Sequence, residues 1–272
     1  VNPKMKTLCP AKINSFLSVG PPDGSGFHPL RTVFHALSLA DELTAEPAAQ
    51  DEIVCSWADL PAENTLTKAW RLAREYVELP LLRVSLTKRI PAESGLGGGS
   101  SDAAALLRLL AIASRGRLER DNLFEIALAV GADVPFFLVG GSALAEGYGE
   151  RLTPLPDGPQ RWLVIVRPPV GVSTAQAYCE LDARKRDFLE FPQDLWSGHN
   201  DFMLVAPEEC RRVASWLQGQ GAEAVGLTGS GSAVYAVFGS EEAAQGVQAH
   251  AEGMGDSWVC RTLTREESLW TS

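Results

Sequence analysis

The stretch Pro91-Ala92-Glu93-Ser94-Gly95-Leu96-Gly97-Gly98-Gly99-Ser100-Ser101-Asp102-Ala103-Ala104 constrains this chain more than any other. Four of the five residues from Gly95 to Gly99 are glycine. Without a Cβ the backbone can bend where a side chain would clash, and another group can come close to it. Ser100, Ser101 and Asp102 then open a long apolar run, and Ser and Asp suit helix N-caps because their oxygens accept from free helix N–H groups. A glycine-rich turn feeding a helix N-terminus gathers N–H donors and the positive end of the helix dipole into an anion cradle. The ligand that fits such a cradle is a phosphate chain. The strand pattern before it and the helix after it argue against an ordinary flexible surface loop.

Two familiar phosphate loops do not match. A P-loop ends its glycines with Gly-Lys-Ser/Thr, and no lysine follows Gly99. A Rossmann fingerprint would begin at Gly95-Leu96-Gly97, but Ser100 holds the third glycine position. The acidic ribose partner expected ~20 residues on would fall near Asp121, which starts a helix.

The chain has 272 residues, enough for one large domain or two ordinary ones. Its hydrophobic content of 45% and charged content of 21% suit a globular protein with a full core. A net charge of −10 disfavours a general nucleic-acid or membrane-surface binder, so any polyanion site must be a local pocket. Cys9, Cys55, Cys179, Cys210 and Cys260 are odd in number and widely spaced, without a Cys-x-x-Cys pair. They read as buried thiols of a cytoplasmic protein rather than a zinc site or disulfide framework. No signal-peptide or membrane-spanning pattern is visible. The opening Val1-Asn2-Pro3 lacks Met, which reads as a trimmed or altered start.

Hydrophobic periodicity predicts strands over 12–19, 33–39, 53–57 and 82–90, and helices over 65–77, 101–113 and 121–130. The 101–113 helix is apolar nearly all round and should be deeply buried. Residues 136–139 and 142–146 flank Gly140-Gly141 like a hairpin. The run Pro154-Leu155-Pro156-Asp157-Gly158-Pro159 is the best linker. Beyond it come a strand over 162–166, a helix from Ser173 with Gln176 completing a capping box, and a helix over 207–217. A second glycine turn over 226–232, a strand over 233–238, a helix over 241–251 and a strand over 257–262 follow. That order suits an α+β sandwich of ferredoxin-like type.

Lys12 and Asn14 lie two apart in a strand and so share a face, either solvated or functional. Asp133 stands just past a helix end among Val134, Phe136 and Phe137, and residue chemistry alone favours a turn. His28 follows a Pro/Gly turn, and a lone His is more often structural than catalytic. Lys88 shares its predicted strand face with Val84 and Leu86, which is odd for a solvated lysine.

Pro10-Ala11-Lys12-Ile13-Asn14, the Gly95-to-Ala104 string, Gly131-Ala132-Asp133-Val134-Pro135 and Leu227-Thr228-Gly229-Ser230-Gly231 together resemble, in order and spacing, the motifs of the GHMP kinase superfamily. The resemblance runs from about residue 10 to 238. It implies an α+β, two-domain fold: a ribosomal-protein-S5-domain-2-like domain over 1–157 and a ferredoxin-like domain over 158–272, with the active site between them. It is closest to the branch whose acceptor is a cytidine diphosphate ester of methylerythritol. It then implies ATP-dependent phosphorylation of that ester's 2-hydroxyl, in non-mevalonate isoprenoid precursor synthesis. Homoserine or mevalonate phosphorylation, and a non-catalytic binder of the same fold, are the alternatives.

The resemblance also implies roles. Asp133 would accept the hydroxyl proton, and Lys12 would hold Asp133 ionised and steady the attacking oxygen. Pro91, Ala92, Glu93, Ser94, Gly95, Leu96, Gly97, Gly98, Gly99, Ser100 and Ser101 would wrap the ATP triphosphate, with Asn64 and Lys88 nearby. Asn14, Phe27, His28, Tyr178, Thr228, Gly229 and Ser230 would meet the acceptor. In that arrangement Phe27 and Tyr178 stack on the pyrimidine and His28 bonds its edge. The superfamily branch usually carries Tyr where this chain has Phe27, a change that keeps stacking and loses a hydroxyl. Mg²⁺ is expected with ATP, and no carboxylate pattern marks its ligand. Neither a nucleic-acid nor a membrane partner is implied, and no motif bears on oligomeric state.

Overall fold

A computed structural model describes residues 4–57 and 61–272. The opening Val1-Asn2-Pro3 therefore lies outside the described residues. Two long strands begin the chain, β1 (Met5–Val19) and β2 (Leu30–Pro47), paired antiparallel along most of their length. On its other edge β2 pairs with β4 (Leu82–Thr87) near one end and β5 (Ser142–Glu146) near the other. The short strands β3 (Glu52–Cys55) and β6 (Arg151–Pro154) close the outer edges, giving the order β3-β4-β2-β5-β6 with β1 beside β2. Four helices cover one face: α1 (Thr65–Tyr76), α2 (Gly98–Ala113), α3 (Arg120–Val130) and α4 (Val134–Val139). As its composition predicts, α2 is buried almost throughout, with Leu106, Leu107, Leu109 and Leu110 in the core it shares with Phe34, Leu43 and Val84.

The second sheet is fully antiparallel in the order β10-β7-β9-β8. Its strands are β7 (Trp162–Arg167), β8 (Ala224–Leu227), β9 (Val234–Phe238) and β10 (Asp256–Arg261). α5 (Thr174–Asp182), α6 (Glu208–Gln218) and α7 (Glu241–Gln248) connect them, which is the ferredoxin-like arrangement the sequence predicts.

Strand alternation explains how the two sheets meet. In β7, Val164 and Val166 face the helices while Leu163 and Ile165 face the joint; in β9, Tyr235 and Val237 also face the joint. There they pack on Ala11, Ile13 and Leu37 of the first sheet and on Ile90 and Leu96 beside the glycine turn. β1 serves all three cores, because its pairing slips at Pro10/Ala11 and again at Asn14/Phe16. Each slip re-aims the side chains that follow.

Several expectations are corrected. α2 begins inside the glycine run at Gly98, with Gly97 as N-cap and no side-chain cap, so Ser100, Ser101 and Asp102 are helical rather than capping. Residues 136–139 belong to the short helix α4, whose start is favoured by Pro135 in its first turn; the hairpin is β5–β6 instead. Ser173 caps α5 by accepting from Gln176 N–H, but the Gln176 side chain donates to Glu180, so the capping box is only half made. β4 stops at Thr87, before Lys88. β6, β8, a 3-10 turn over Asp201–Leu204 and α8 (Arg265–Ser268) are too short for periodicity to reveal. The end of the chain returns to the first sheet, where Lys6 and Ser272 exchange both backbone hydrogen bonds at 2.7 and 2.8 Å. Of the cysteines, Cys9, Cys210 and Cys260 are buried as expected, whereas Cys55 is half-buried and Cys179 is exposed. Among the described residues no helix is long and apolar enough to cross a membrane.

Candidate active site

The two glycine turns touch. Gly95 has φ +77°, and a Cβ there would stand 2.0 Å from the Thr228 carbonyl oxygen. Only glycine permits that approach, which Thr228 Oγ1 to Gly95 O at 3.0 Å and Ala233 N–H to Ser94 O at 3.1 Å hold in place. Gly97, with φ +74°, packs so tightly that a Cβ would lie 2.9 Å from the Phe137 ring and 3.0 Å from Lys12 Cγ. The Leu96 carbonyl accepts from Lys12 N–H at 2.9 Å, tying the turn to β1.

A cavity of about 730 Å³ opens over this junction. Its walls include the glycine turn from Pro91 through Ser100 apart from Leu96, together with Lys12, Asn14, Asn64, Lys88, Asp133, Tyr178, Gly229 and Ser230. Gly98, Gly99 and Ser100, the first residues of α2, line it, and the first N–H groups of a helix lack an intrahelical acceptor. Leu96 points instead into the joint core, and Ser101 is buried, its hydroxyl without a hydrogen-bond partner among the described residues. Thr228 is also buried, and acts on the cavity through Gly95 and Asn14.

Lys12 and Asp133, 121 positions apart in sequence, meet in this cavity with Nζ and Oδ2 separated by 3.6 Å. Lys12 is buried and Asp133 half-exposed at the N-cap of α4. Burial pulls the Lys12 ammonium below its ordinary pKa, and the Asp133 charge and hydrogen bond resist that pull. Lys12 Nζ also donates to Asn14 Oδ1 at 2.8 Å. The same oxygen accepts from Gly229 N–H at 2.8 Å, and Asn14 Nδ2 donates to Thr32 at 2.7 Å. The face of β1 bearing Lys12 and Asn14 is therefore not solvated; Asn14 joins the lysine to the second glycine turn.

Lys88 lies under Gly98, gripped by Asp41 Oδ2 at 2.5 Å and Asp102 Oδ2 at 2.8 Å. Burial pulls its pKa down, but the two carboxylates outweigh that and leave it raised. Burial pushes the Asp102 carboxyl up, and the neighbouring Asp41 charge adds to this against the pull of Lys88. Asp102 Oδ1 has no hydrogen-bond partner among the described residues. Asn64 spends its side chain as the α1 N-cap, accepting from Leu66 and Thr67 N–H, while also lining the cavity.

The aromatic residues are arranged differently from a simple Phe27/Tyr178 clamp. Tyr178 lines the cavity, 4.8 Å from the His28 ring and edge-on to Phe202 at 4.9 Å; burial pushes its phenol up to about 12. His28 Nδ1 is engaged by Gly20 O at 3.0 Å, with Asp182 3.5 Å from Nε2. Phe27 is 65% exposed and packs on Tyr148, and neither Phe27 nor His28 lines the cavity. Sequence reasoning passed over Tyr148, Trp57, Thr32 and Thr174 as lining residues, and none belongs to a motif that would single it out. Asp102 stands in the glycine string, where its residue type suggests only a cap.

Residues 64–141 match the GHMP kinases N terminal domain and 182–256 the GHMP kinases C terminal model. A 4-diphosphocytidyl-2-C-methyl-D-erythritol kinase of Solibacter usitatus is 38% identical over 250 residues, 84% of this chain and 79% of that protein. A crystal structure of 4-(cytidine 5'-diphospho)-2C-methyl-D-erythritol kinase superposes with a TM-score of 0.79 at 33% identity, covering 94% of this chain and 98% of that one. Homoserine kinase from Cytophaga hutchinsonii reaches a TM-score of 0.75 at 19% identity over 100% of this chain and 98% of its own, a likeness of fold. The chain is thus a small-molecule kinase that belongs to the GHMP kinases, in the family of the 4-diphosphocytidyl-2-C-methyl-D-erythritol kinases.

Proposed function

We propose that this kinase transfers the γ-phosphoryl group of ATP to the 2-hydroxyl of 4-diphosphocytidyl-2-C-methyl-D-erythritol, in isoprenoid precursor synthesis. The observation that carries the reading is the meeting of Lys12 and Asp133 in a cavity walled by the glycine cradle. Asp133 takes the hydroxyl proton as the acceptor oxygen bonds to the γ-phosphorus. The bond to the β-phosphate oxygen breaks, and ADP leaves. Lys12 offers positive charge to the attacking oxygen and to the carboxylate. Residues 91–101 hold the triphosphate mainly by backbone N–H groups, which is the positioning that phosphoryl transfer demands. Asn64 and Lys88 flank the nucleotide, while Asn14, Thr228, Gly229 and Ser230 shape the acceptor side. Phe27, His28 and Tyr178 serve its cytidine end.

Mg²⁺ accompanies the phosphates in this reading and supplies neutralising charge. Among the described residues no cluster of three or more His, Cys, Asp or Glu side chains could hold a metal. This suits an ion that keeps several waters and binds through phosphate oxygens. The same reading places the division between the two domains at 157/158, in the Pro-rich connection before β7, and a cytoplasmic site of action. The test is ADP release from ATP and Mg²⁺ with the cytidine acceptor, run beside homoserine and mevalonate. Turnover with the cytidine compound alone is the expected result. Turnover with another acceptor discards the substrate, and binding of ATP without turnover discards the catalytic reading.

A further inference from the structure

The exposed turn between Gly20 and His28 is organised by one residue. Asp23 N–H donates to Phe27 O at 2.8 Å, and Asp23 O accepts from Gly26 N–H at 3.0 Å. Asp23 Oδ1 accepts from the Ser25 N–H at 2.8 Å and its hydroxyl at 2.5 Å. The remaining carboxylate oxygen, Oδ2, accepts from the Tyr148 phenol at 2.5 Å, across 125 residues of sequence. Hydrogen bonds from Ser25 and Tyr148 hold the Asp23 carboxyl down to about 2, so it is charged at any working pH.

Tyr148 is itself well anchored. It lies in the β5–β6 turn, where Leu30 N–H donates to Gly147 O at 2.7 Å and Tyr148 N–H to Glu150 Oε2 at 2.6 Å. Its ring lines the cavity and stands 5.6 Å from the Phe27 ring, tilted by 55°. One side chain thus touches the cavity, the most exposed large aromatic of the chain and the residue that organises that aromatic's turn.

We propose that Tyr148 is a positioning residue for the cytidine end of the acceptor: its phenol clasps Asp23 and so fixes the turn carrying Phe27 and His28 at the mouth of the cavity. The proposal rests on the acceptor reading above. An unclasped surface turn fluctuates and must be ordered when ligand binds, and ordering it beforehand removes that cost from binding. The effect therefore falls on acceptor affinity and leaves the chemical step alone. A charge-assisted hydrogen bond is the stronger kind, suited to hold a short turn.

Tyr148→Phe keeps the ring and removes the clasp. It should raise the acceptor KM about three- to tenfold, with kcat and the ATP KM unchanged. In substrate-free protein it should also speed amide hydrogen exchange at residues 23–27. Asp23→Asn should raise the acceptor KM less in the Tyr148→Phe background than in the wild type, because the pair acts as a unit. An unchanged acceptor KM with unchanged exchange overturns the proposal, as does an equal rise in both KM values. If the wild type does not turn over the cytidine acceptor, it is the substrate assignment that fails. The clasp is then decided by exchange alone, with unaltered rates at 23–27 counting against it.

Discussion

Asp133 stands where a carboxylate can receive a proton without being buried away from substrate, and the lysine paired with it, Lys12, is itself buried. Asp133→Asn keeps the shape and, in the proposed mechanism, removes the base. General-base contributions run to about 10²–10⁴-fold, so kcat should fall by that order while the ATP dissociation constant, read by titration calorimetry, barely moves. Asp102 carries a different consequence. Its carboxyl is raised by burial beside Asp41, with Lys88 and Cys9 also close. Below the unfolded value near 3.8 both states are protonated; above it the unfolded chain ionises while the native carboxyl still holds its proton. The stability it contributes is thus full at low pH and is lost as pH rises through the folded value. Asp102→Asn, which keeps an acceptor for Lys88, should gain Tm relative to the wild type as pH rises from 4 toward 8. A gap independent of pH would refute this titration.

The glycine string is an element whose parts have unequal duties. At Gly95 an added Cβ would strike backbone, and φ is positive; at Gly99 the nearest contact is 3.4 Å, to Thr65 Oγ1, inside a helix. Gly95→Ala should destabilise by more than the ~1–2 kcal/mol of a left-handed conformation alone and should impair ATP binding. Gly99→Ala should hold or slightly raise Tm in a thermal melt, since helical Gly costs about 0.5–1 kcal/mol against Ala. At this scale the sequence was largely readable. Parts of the long strands, 12–19 of β1 and 33–39 of β2, leave periodic signals, as do α1, α2, α3 and the ferredoxin-like order; the rest of β1 and β2 was not predicted. The start of α2 did not, because Gly97 caps it by conformation rather than by a side chain. Residues 136–139 read as a strand because six residues of apolar helix have no period to show. Lys12 and Asp133 were legible only through motif resemblance, since their contact depends on tertiary folding. Tyr148 was not legible at all, because its importance comes from a turn 125 residues away.

For the whole molecule, the joint core couples the two sheets. Ile165 is fully buried there, on a strand whose other face supports the second sheet's helices. Ile165→Ala should cost about 2–5 kcal/mol. Because β1 enters all three cores, the chain should still melt in one transition by both circular dichroism and calorimetry. Two separated transitions would show that the sheets fold independently. The bond from Gly229 N–H to Asn14 also sets an order of events in synthesis, since it spans 215 residues. A ribosome makes Lys12 long before the turn that completes its surroundings. A chain grown only as far as the first sheet thus holds Lys12 and Asn14 without the backbone donor that Gly229 brings to them.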